Sequence, residues 1–427
     1  MAAVALAAVL LSPLPGAGAA ELPASPADFH TCALLALKQS PYFSRSALEI
    51  EVKRLDEKDS KSDYLPTINL RARYYVSQPS RARLVNPTDY FLDFSIDSYN
   101  PLVAHYHVKV RQLLKEAAVV SHLLVISEGL RQLGNGFLEL AALARLAEVQ
   151  ERLLEVLGRQ QTYWQRRLEL GEDSALEVKI AVQEGEVAKA EKARILAAQR
   201  RLRERLRDFL GLKPGEPLDF DPRQGRPQVL GLGQSVEWRE QEPRSLEARL
   251  EAIRKELQSW NVTLSKLRLL PGVTAAVQTP DPVALTGVRG YFFSVGLTWP
   301  VFDGFKRLRD ITRQKTLLAQ AEADSLVKET DFRGRWREAL DRLTAAAAAR
   351  DLARQQVELA RLKERQAELR HEGGEPLDPV LAARRSRLEA EVQLTHKELE
   401  HDQALLEVRH LSGELVKPYV SEKKWLP

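Results

Sequence analysis

The side chains in this sequence with the greatest capacity for chemistry are eight histidines and one cysteine. His105 and His107 stand two positions apart, a spacing that does not bring two side chains to one face of a helix. The remaining histidines show no metal-ligand spacing either. The pattern predicts solvated helix residues at His396, His401 and His410. Cys32, the single cysteine, is expected to be a small core residue.

The short motifs that carry catalysis are absent from the sequence. There is no Walker-type phosphate loop, HExxH, CxxC or GxSxG, and Gly231-Leu232-Gly233 lacks the third glycine of a dinucleotide site. The sequence therefore predicts that the chain is not an enzyme and has no cofactor or metal. A net charge of +4, with basic residues interleaved with glutamate, gives no case for nucleic acid as a partner.

The first residues resemble an export signal. Residues 2–20 are apolar and small and end in Ala17-Gly18-Ala19, which predicts a signal peptide over residues 1–20, although no Lys or Arg precedes the apolar run. Beyond this segment no apolar stretch approaches the roughly 20 residues that a spanning helix needs. Strands would therefore have to make any membrane crossing.

The chain is internally duplicated. Residues 95–103 match residues 294–302, and Gly171, Val178 and Gly211 recur in the same order as Gly373, Val380 and Gly413. We predict a first repeat over 21–212, a linker over 213–242, a second repeat over 243–413 and a tail over 414–427.

Each repeat shows the same order of patterns. A helix (27–61 and 244–266) ends at Leu-Pro and is followed by two alternating strands (67–78 and 89–100; 271–279 and 288–299). Long helical hairpins follow over 103–212 and 303–413, with outgoing helices over 103–169 and 303–370. Gly134-Asn135-Gly136 is predicted to interrupt the first of these helices, as a change of packing or a solvent-facing kink.

These elements argue for more than one chain. Four strands are too few to close a membrane barrel, and lipid does not tolerate open sheet edges. Two copies would supply eight strands and three copies twelve. Each long helix would reach about 100 Å, so neighbouring helices must bury it along its length. Such a helical tube leading away from a membrane would be a conduit.

The duplicated order resembles the TolC-like outer-membrane efflux protein family. Its most specific parts are the strand-to-helix junction at 296–304 and the glycine turns at 170–178 and 372–380. The resemblance covers about residues 26–416. It implies a mainly α fold with a small β part, assembled as a homotrimer with a shared 12-stranded β-barrel and a 12-helix α-barrel.

The resemblance also implies location, function and partners. The chain would lie in the outer membrane with a long periplasmic extension. It would be a passive exit duct for multidrug or metal efflux or for type I secretion, working with a periplasmic adaptor protein and an inner-membrane pump. The sequence does not identify the substrate or the pump class.

In that family the two turns form the channel entrance, where the adaptor docks. The matching residues here are Gly171, Glu172, Asp173, Ser174, Glu177, Val178, Gly373, Gly374, Glu375, Asp378 and Val380. Gly171 and Gly373 suit a helix C-terminus with positive φ, and Ser174 suits an N-cap.

Some members carry an acidic selectivity ring at the second turn. Its positions are Pro379 and Ala382 here, so that ring is absent as such. Glu177 and Asp378 are the candidate gate charges, and exposed turn carboxylates without a selectivity role are the alternative. The lipid face and aromatic girdle of the barrel are assigned to Tyr74, Phe293, Leu297 and Trp299.

Two other classes of protein share part of this pattern. A soluble periplasmic coiled-coil scaffold would have the long helices but would need neither a signal peptide nor four alternating strands. A periplasmic adaptor would have one hairpin flanked by lipoyl-like β segments, and this chain has two hairpins in tandem.

Overall fold

The computed structural model describes residues 27–65, 67–74, 88–171, 175–213, 219–220, 229, 245–280, 292–299 and 301–419. For residues 67–74, 88–99, 278–280 and 292 the description covers the backbone only. The predicted signal peptide, most of the predicted linker, the predicted strand ends at 75–78 and 288–291, and residues 420–427 lie outside the described residues.

The described chain is helical apart from four strands. The elements are α1 (Phe29–Gln39), α2 (Pro41–Ser62), β1 (Thr67–Tyr74), β2 (Thr88–Tyr99), α3 (Pro101–Glu169), α4 (Ala175–Leu210), α5 (Leu246–Leu267), β3 (Gly272–Pro280), β4 (Phe292–Thr298), α6 (Lys306–Glu372) and α7 (Asp378–Leu411). Helix, strand, strand, long helix and returning helix thus occur twice, as predicted. Among the described helices, none combines the length and apolar character needed to span a membrane.

Contacts divide the chain into two compact units. The first, here called the hairpin unit, comprises residues 1–45, 123–245 and 332–427, and the second, the sheet unit, comprises residues 46–122 and 246–331. Both units draw on both halves of the sequence, so the duplication does not correspond to two separate globules.

The predicted single helix over 27–61 is wrong, because the chain breaks at Ser40. Proline disfavours a helical conformation in the residue before it, and Ser40 before Pro41 is extended, with φ −66° and ψ 128°. The break is buried in the hairpin unit, where the Ser40 hydroxyl donates to the carbonyl of Phe209 at 2.5 Å. At the other end of α1 the Asp28 carboxylate accepts the Thr31 N–H at 2.8 Å and caps the helix.

The four strands form one antiparallel sheet in the order β1-β2-β3-β4. The register pairs Ile68 with Phe94, Phe94 with Val277 and Val277 with Phe293, so one row of side-chain positions crosses all four strands. The pairing of β2 with β3 is irregular between Ile96 and Tyr99. Strands β1 and β4 therefore occupy the two edges of the sheet.

Helix α3 is continuous through Gly134-Asn135-Gly136, and the predicted interruption is wrong. A Cβ on Gly134 would lie 2.9 Å from a methyl of Leu406, and one on Gly136 would lie 2.6 Å from a methyl of Leu206. The two glycines thus let α4 and α7 approach α3 closely. The cost of glycine in the helix is offset by this packing.

The core of the hairpin unit lies around the middle of α3. Phe137 is fully buried and makes edge-to-face contacts with Phe29 and Phe220, at ring distances of 5.7 and 5.8 Å. Cys32 is also fully buried, as predicted, and its burial raises the pKa of the thiol to about 12. The thiol is therefore protonated and unreactive at neutral pH.

Candidate functional site

The first turn, after α3, ends the helix at a glycine in the left-handed conformation. Gly171 has φ 76°, as predicted, and its N–H donates to the carbonyl of Leu168 at 3.0 Å. Leu170 beside it is 73% exposed. The predicted turn residues Glu172, Asp173 and Ser174 lie outside the described residues. Val178, in the first turn of α4, is half-buried.

The second turn reverses the chain one residue later than predicted. Gly374, with φ 102°, is in the left-handed region, and Gly373 is not. The Gly374 N–H donates to His371 O at 2.9 Å and the Glu375 N–H donates to Arg370 O at 3.2 Å. These two hydrogen bonds together define a Schellman motif. The prediction was wrong because either of two adjacent glycines can take this conformation.

Ion pairs between α3 and α7 fix the register of the two helices and so show where the two turns lie relative to each other. Arg145 pairs with Glu398 at 2.5 Å, and Arg152 with Glu391 at 3.1 Å, so seven residues forward along α3 correspond to seven residues back along α7. At the same register the last residue of α3, Glu169, lies level with Gly374. Both predicted entrance turns therefore lie at one end of the hairpin unit.

An apolar cluster joins α3 to the start of α7 near these turns. It contains Val149, Val156, Leu381 and Leu388, with Tyr163 and Leu377 packed against it. Val380 is 3% exposed, so its side chain supports the second turn from inside. The surfaces available to a partner at this turn are Gly373, Gly374 and Glu375, which are exposed.

A separate ion pair connects the two hairpins. The Arg385 guanidinium on α7 lies 2.6 Å from the Glu184 carboxylate on α4, and both side chains are about one third exposed, at 36% and 31%. The Arg385 guanidinium donates hydrogen bonds to the carboxylates of Glu184 and Glu389, and these bonds raise the pKa of Arg385 above its usual range. This pair is a charged contact between α4 and α7, the returning helices of the two hairpins.

The two candidate gate charges both lie in the first turn of a returning helix. Glu177 lies in the first turn of α4 and Asp378 is the first residue of α7, and both are half-buried. A carboxylate in the first turn of a helix is stabilised by the helix dipole. One chain supplies one of each, so a ring of charge at either level requires further copies of the chain.

Sequence reasoning missed a network of ion pairs that joins α3, α6 and α7. Arg387 lies 2.5 Å from both Glu364 and Glu391, and Arg384 pairs with Glu364 at 3.2 Å and Glu368 at 2.8 Å. Farther along, Glu398 is shared by Arg145 and Arg354, at 2.5 and 3.5 Å. The spacing of seven between Arg145 and Arg152, and between Glu391 and Glu398, was the available signal.

Two of the three histidines predicted to be solvated are partly buried and bonded. His410 Nδ1 lies 2.8 Å from the Ser127 hydroxyl, and His401 lies beside the buried Asp402 at 3.2 Å and within 3.2 Å of Arg350. The prediction was wrong because α7 faces α3 and α6, so few of its polar positions point to solvent. Across the described residues, no group of three His, Cys, Asp or Glu is placed to hold a metal ion.

Strand β4 exposes its apolar row in the single chain. Phe293, Val295, Leu297 and Trp299 are 72%, 62%, 66% and 59% exposed, and Ser294, Gly296 and Thr298 occupy the opposite face. Tyr74 is the last residue of β1, and its side chain lies outside the described residues. Two of the four predicted lipid-face residues, Phe293 and Leu297, are thus on one exposed face of β4, and Trp299 directly follows the strand.

Comparison with known proteins identifies the fold. No protein-family model matches the chain, and no curated protein matches it by sequence. Among solved structures, the outer membrane protein VceC from Vibrio cholerae is similar with a TM-score of 0.73 and 16% identity, covering 90% of this chain and 96% of that chain.

Two outer membrane channels have structures that are similar to this chain to nearly the same degree. The Campylobacter jejuni CmeC outer membrane channel gives a TM-score of 0.71 at 13% identity, covering 93% of this chain and 90% of that chain. The open state of the Neisseria gonorrhoeae MtrE outer membrane channel gives 0.70 at 15% identity, covering 90% and 88%. The chain therefore has the fold of TolC-like outer-membrane channels, and the resemblance seen in the sequence is confirmed at the level of the fold.

Proposed function

We propose that this chain is a subunit of an outer-membrane efflux channel. It would form a homotrimer with a 12-stranded β-barrel and a 12-helix periplasmic tube. The channel would be a passive exit duct for drugs, metals or secreted proteins delivered by an inner-membrane pump through a periplasmic adaptor. No catalytic step is part of the proposal.

The observation that carries the proposal is the apolar face of β4. Aromatic side chains present roughly 150–250 Å² each, so Phe293, Trp299 and their neighbours form a patch larger than soluble monomers expose without a partner. The patch alternates with small and polar residues, which is the pattern of a strand with lipid on one side and water on the other. A membrane satisfies this arrangement without an additional protein.

A second surface supports assembly from several chains. On α6 the seam formed by Ala353, Val357 and Ala360 is buried inside the hairpin unit. A different row of leucines on the same helix is 57%, 53%, 68% and 53% exposed: Leu352, Leu359, Leu362 and Leu369. Their spacings of seven, three and seven match a coiled-coil seam. Another helix is needed to cover this row, and a neighbouring copy of the chain would supply it.

The entrance in this proposal is the end of the hairpin unit that carries both turns. The exposed Leu170, Gly171, Gly374 and Glu375 would meet the adaptor. Three copies would turn Glu177 and Asp378 into two rings of three carboxylates. The pair between Arg385 and Glu184 would then hold the two hairpins of each chain together at the closed entrance.

The proposal is tested by fractionating the producing cells, running the detergent extract on an unboiled gel, and recording single channels in planar bilayers. We expect an outer-membrane species that migrates as a trimer, dissociates on heating and conducts ions. A soluble species that does not conduct would refute the channel and leave a periplasmic coiled-coil scaffold as the explanation.

A further inference from the structure

A basic cleft lies in the sheet unit where the strands meet the helices. It has a volume of about 350 Å³, and its polar lining includes Asn100, Arg268, Thr298, Lys306, Arg307 and Asp310. These residues come from the junctions of β2 with α3, of α5 with β3, and of β4 with α6. We call this site the junction cleft.

The lining of the junction cleft carries an excess of positive charge. Arg268, Lys306 and Arg307 contribute three cations, and Asp310 contributes one carboxylate. Arg307 also lies 3.5 Å from Asp303 and donates to the carbonyl of Arg268 at 2.8 Å, so its position is fixed. Within the described part of the chain, the structure shows no ion pair for Arg268 or Lys306. Two cations beside one cleft thus remain available to an anion.

Exposed aromatic side chains border the same junction. The Trp299 indole N–H donates to the carbonyl of Leu269 at 3.1 Å, which fixes the ring beside the neighbouring Arg268. Phe302 and Phe305 are 77% and 61% exposed and pack edge to face at 5.7 Å. Phe305 has φ 64°, a conformation that is unusual for a residue other than glycine. Aromatic and cationic residues are thus combined where the sheet ends.

We propose that the junction cleft binds the phosphate of an anionic phospholipid. This inference rests on the proposed function, because it takes the sheet to lie in a bilayer. The sheet-to-helix junction is then at the level of the headgroups, where aromatic rings and cations are favoured. The phosphodiester would accept N–H bonds from Arg268, Lys306 and Arg307, and the acyl chains would lie along Trp299 and Phe302.

The choice of a lipid over free phosphate follows from the apolar border. A soluble anion would use the cations alone and leave the outer surfaces of Phe302 and Phe305, which are 77% and 61% exposed, in water. A phospholipid would contact the cations through its phosphate and the aromatic rings through its acyl chains. The two ligands share the phosphate, so an experiment has to compare them directly.

The experiment measures lipid bound to the detergent-extracted full chain by native mass spectrometry. The extract is titrated with phosphatidylglycerol, with phosphatidylcholine of the same chain length, or with inorganic phosphate. For the unmodified chain we expect phosphatidylglycerol to bind about tenfold more tightly than phosphatidylcholine. The double variant Arg268→Gln/Lys306→Gln should lose about tenfold or more in affinity for phosphatidylglycerol, because two charge-assisted contacts are removed.

The matched control is Arg313→Gln/Lys315→Gln, which removes the same charge from exposed positions on α6 outside the cleft. It should bind phosphatidylglycerol as the unmodified chain does. Equal binding by all three proteins would overturn the inference, and so would equal loss in both double variants, which would indicate a general charge effect. Displacement of the lipid by inorganic phosphate at the same concentration would make the cleft a site for free anions and would also overturn it.

The outcomes separate this inference from the proposed function. If the unmodified chain fractionates with the outer membrane and conducts but binds phosphatidylglycerol no more tightly than phosphatidylcholine, the lipid site alone is refuted. A protein that stays in the soluble fraction refutes the channel itself.

Discussion

Replacing Val295 with arginine tests which face of the sheet requires an apolar environment. Val295 is the middle residue of β4, pairs with Ala275 and is 62% exposed in the single chain. A lipid-facing arginine near the midplane of a spanning strand costs about 2–4 kcal/mol. This corresponds to a change of about thirtyfold to about a thousandfold in the folding equilibrium of each chain. In the proposed trimer each of the three chains would incur this cost.

The neighbouring Ser294 provides a matched control, because Ser294→Arg places the same side chain on the same strand but on the opposite face. The assay is urea unfolding of both variants in phospholipid vesicles, together with the amount of each that reaches the outer membrane. Val295→Arg should be destabilised by the full amount and Ser294→Arg by less than about 1 kcal/mol. Equal unfolding free energies would refute the assignment of faces, and a larger loss in Ser294→Arg would invert it.

Three further predictions follow from the packing and the charges. Gly129→Ala should lower the free energy of unfolding by about 1–3 kcal/mol, because the added Cβ would lie 2.4 Å from a buried phenylalanine ring; thermal melting measures this. Glu57→Gln should cost about 2 kcal/mol at neutral pH. Hydrogen bonds from two lysines lower the pKa of Glu57 from 4.5 to about 2, so its stabilisation is present above pH 4.5 and is lost as the pH falls through 2. Arg385→Gln should cost only about 0.5 kcal/mol, since its pair with Glu184 is partly exposed, but it should raise the conductance of the closed channel in planar bilayers.

Each of these has a control and a contradicting result. Gly158→Ala, where the new Cβ meets nothing within 4 Å, should stabilise α3 by about 0.5–1 kcal/mol, and equal melting of the two alanine variants would contradict the packing. A Glu57→Gln protein whose stability still declines between pH 4.5 and 2 as steeply as that of the unmodified chain would contradict the assignment of that pH dependence. Lys189→Gln removes an ion pair confined to α4 and should leave the conductance unchanged. If Arg385→Gln also leaves the conductance unchanged, the pair between Arg385 and Glu184 does not hold the proposed entrance closed.

The order of elements was predictable because its signals are local. Alternation marks strands, the absence of proline over long apolar repeats marks long helices, and a glycine marks their ends. The break at Ser40 was also present in the sequence, since Pro41 disfavours a helical residue before it. The break was not predicted because the residues on both sides of Ser40 have the composition of a helix.

The contacts between hairpins were not predictable in the same way. Arg145 and Glu398 are separated by 253 residues, and a sequence with many arginines and glutamates offers a large number of equally plausible partners. Only the register of α3 against α7 selects among them. The choice between Gly373 and Gly374 failed for a related reason, since both residues can adopt the required conformation and the surrounding backbone decides.

The order β1-β2-β3-β4 has a consequence for how the protein is made in the cell. The first and last strands of an antiparallel set of four run in opposite directions, so β4 of one copy can pair with β1 of the next and the ring can close with antiparallel pairing throughout. In the proposed channel each chain would have two unpaired edges before the ring closes, so the rate of assembly would depend on the concentration of the chain. A chain damaged only at the β4 edge could still join through β1 but could not accept the next copy. In a cell that makes both forms, such a chain would be dominant over the intact one.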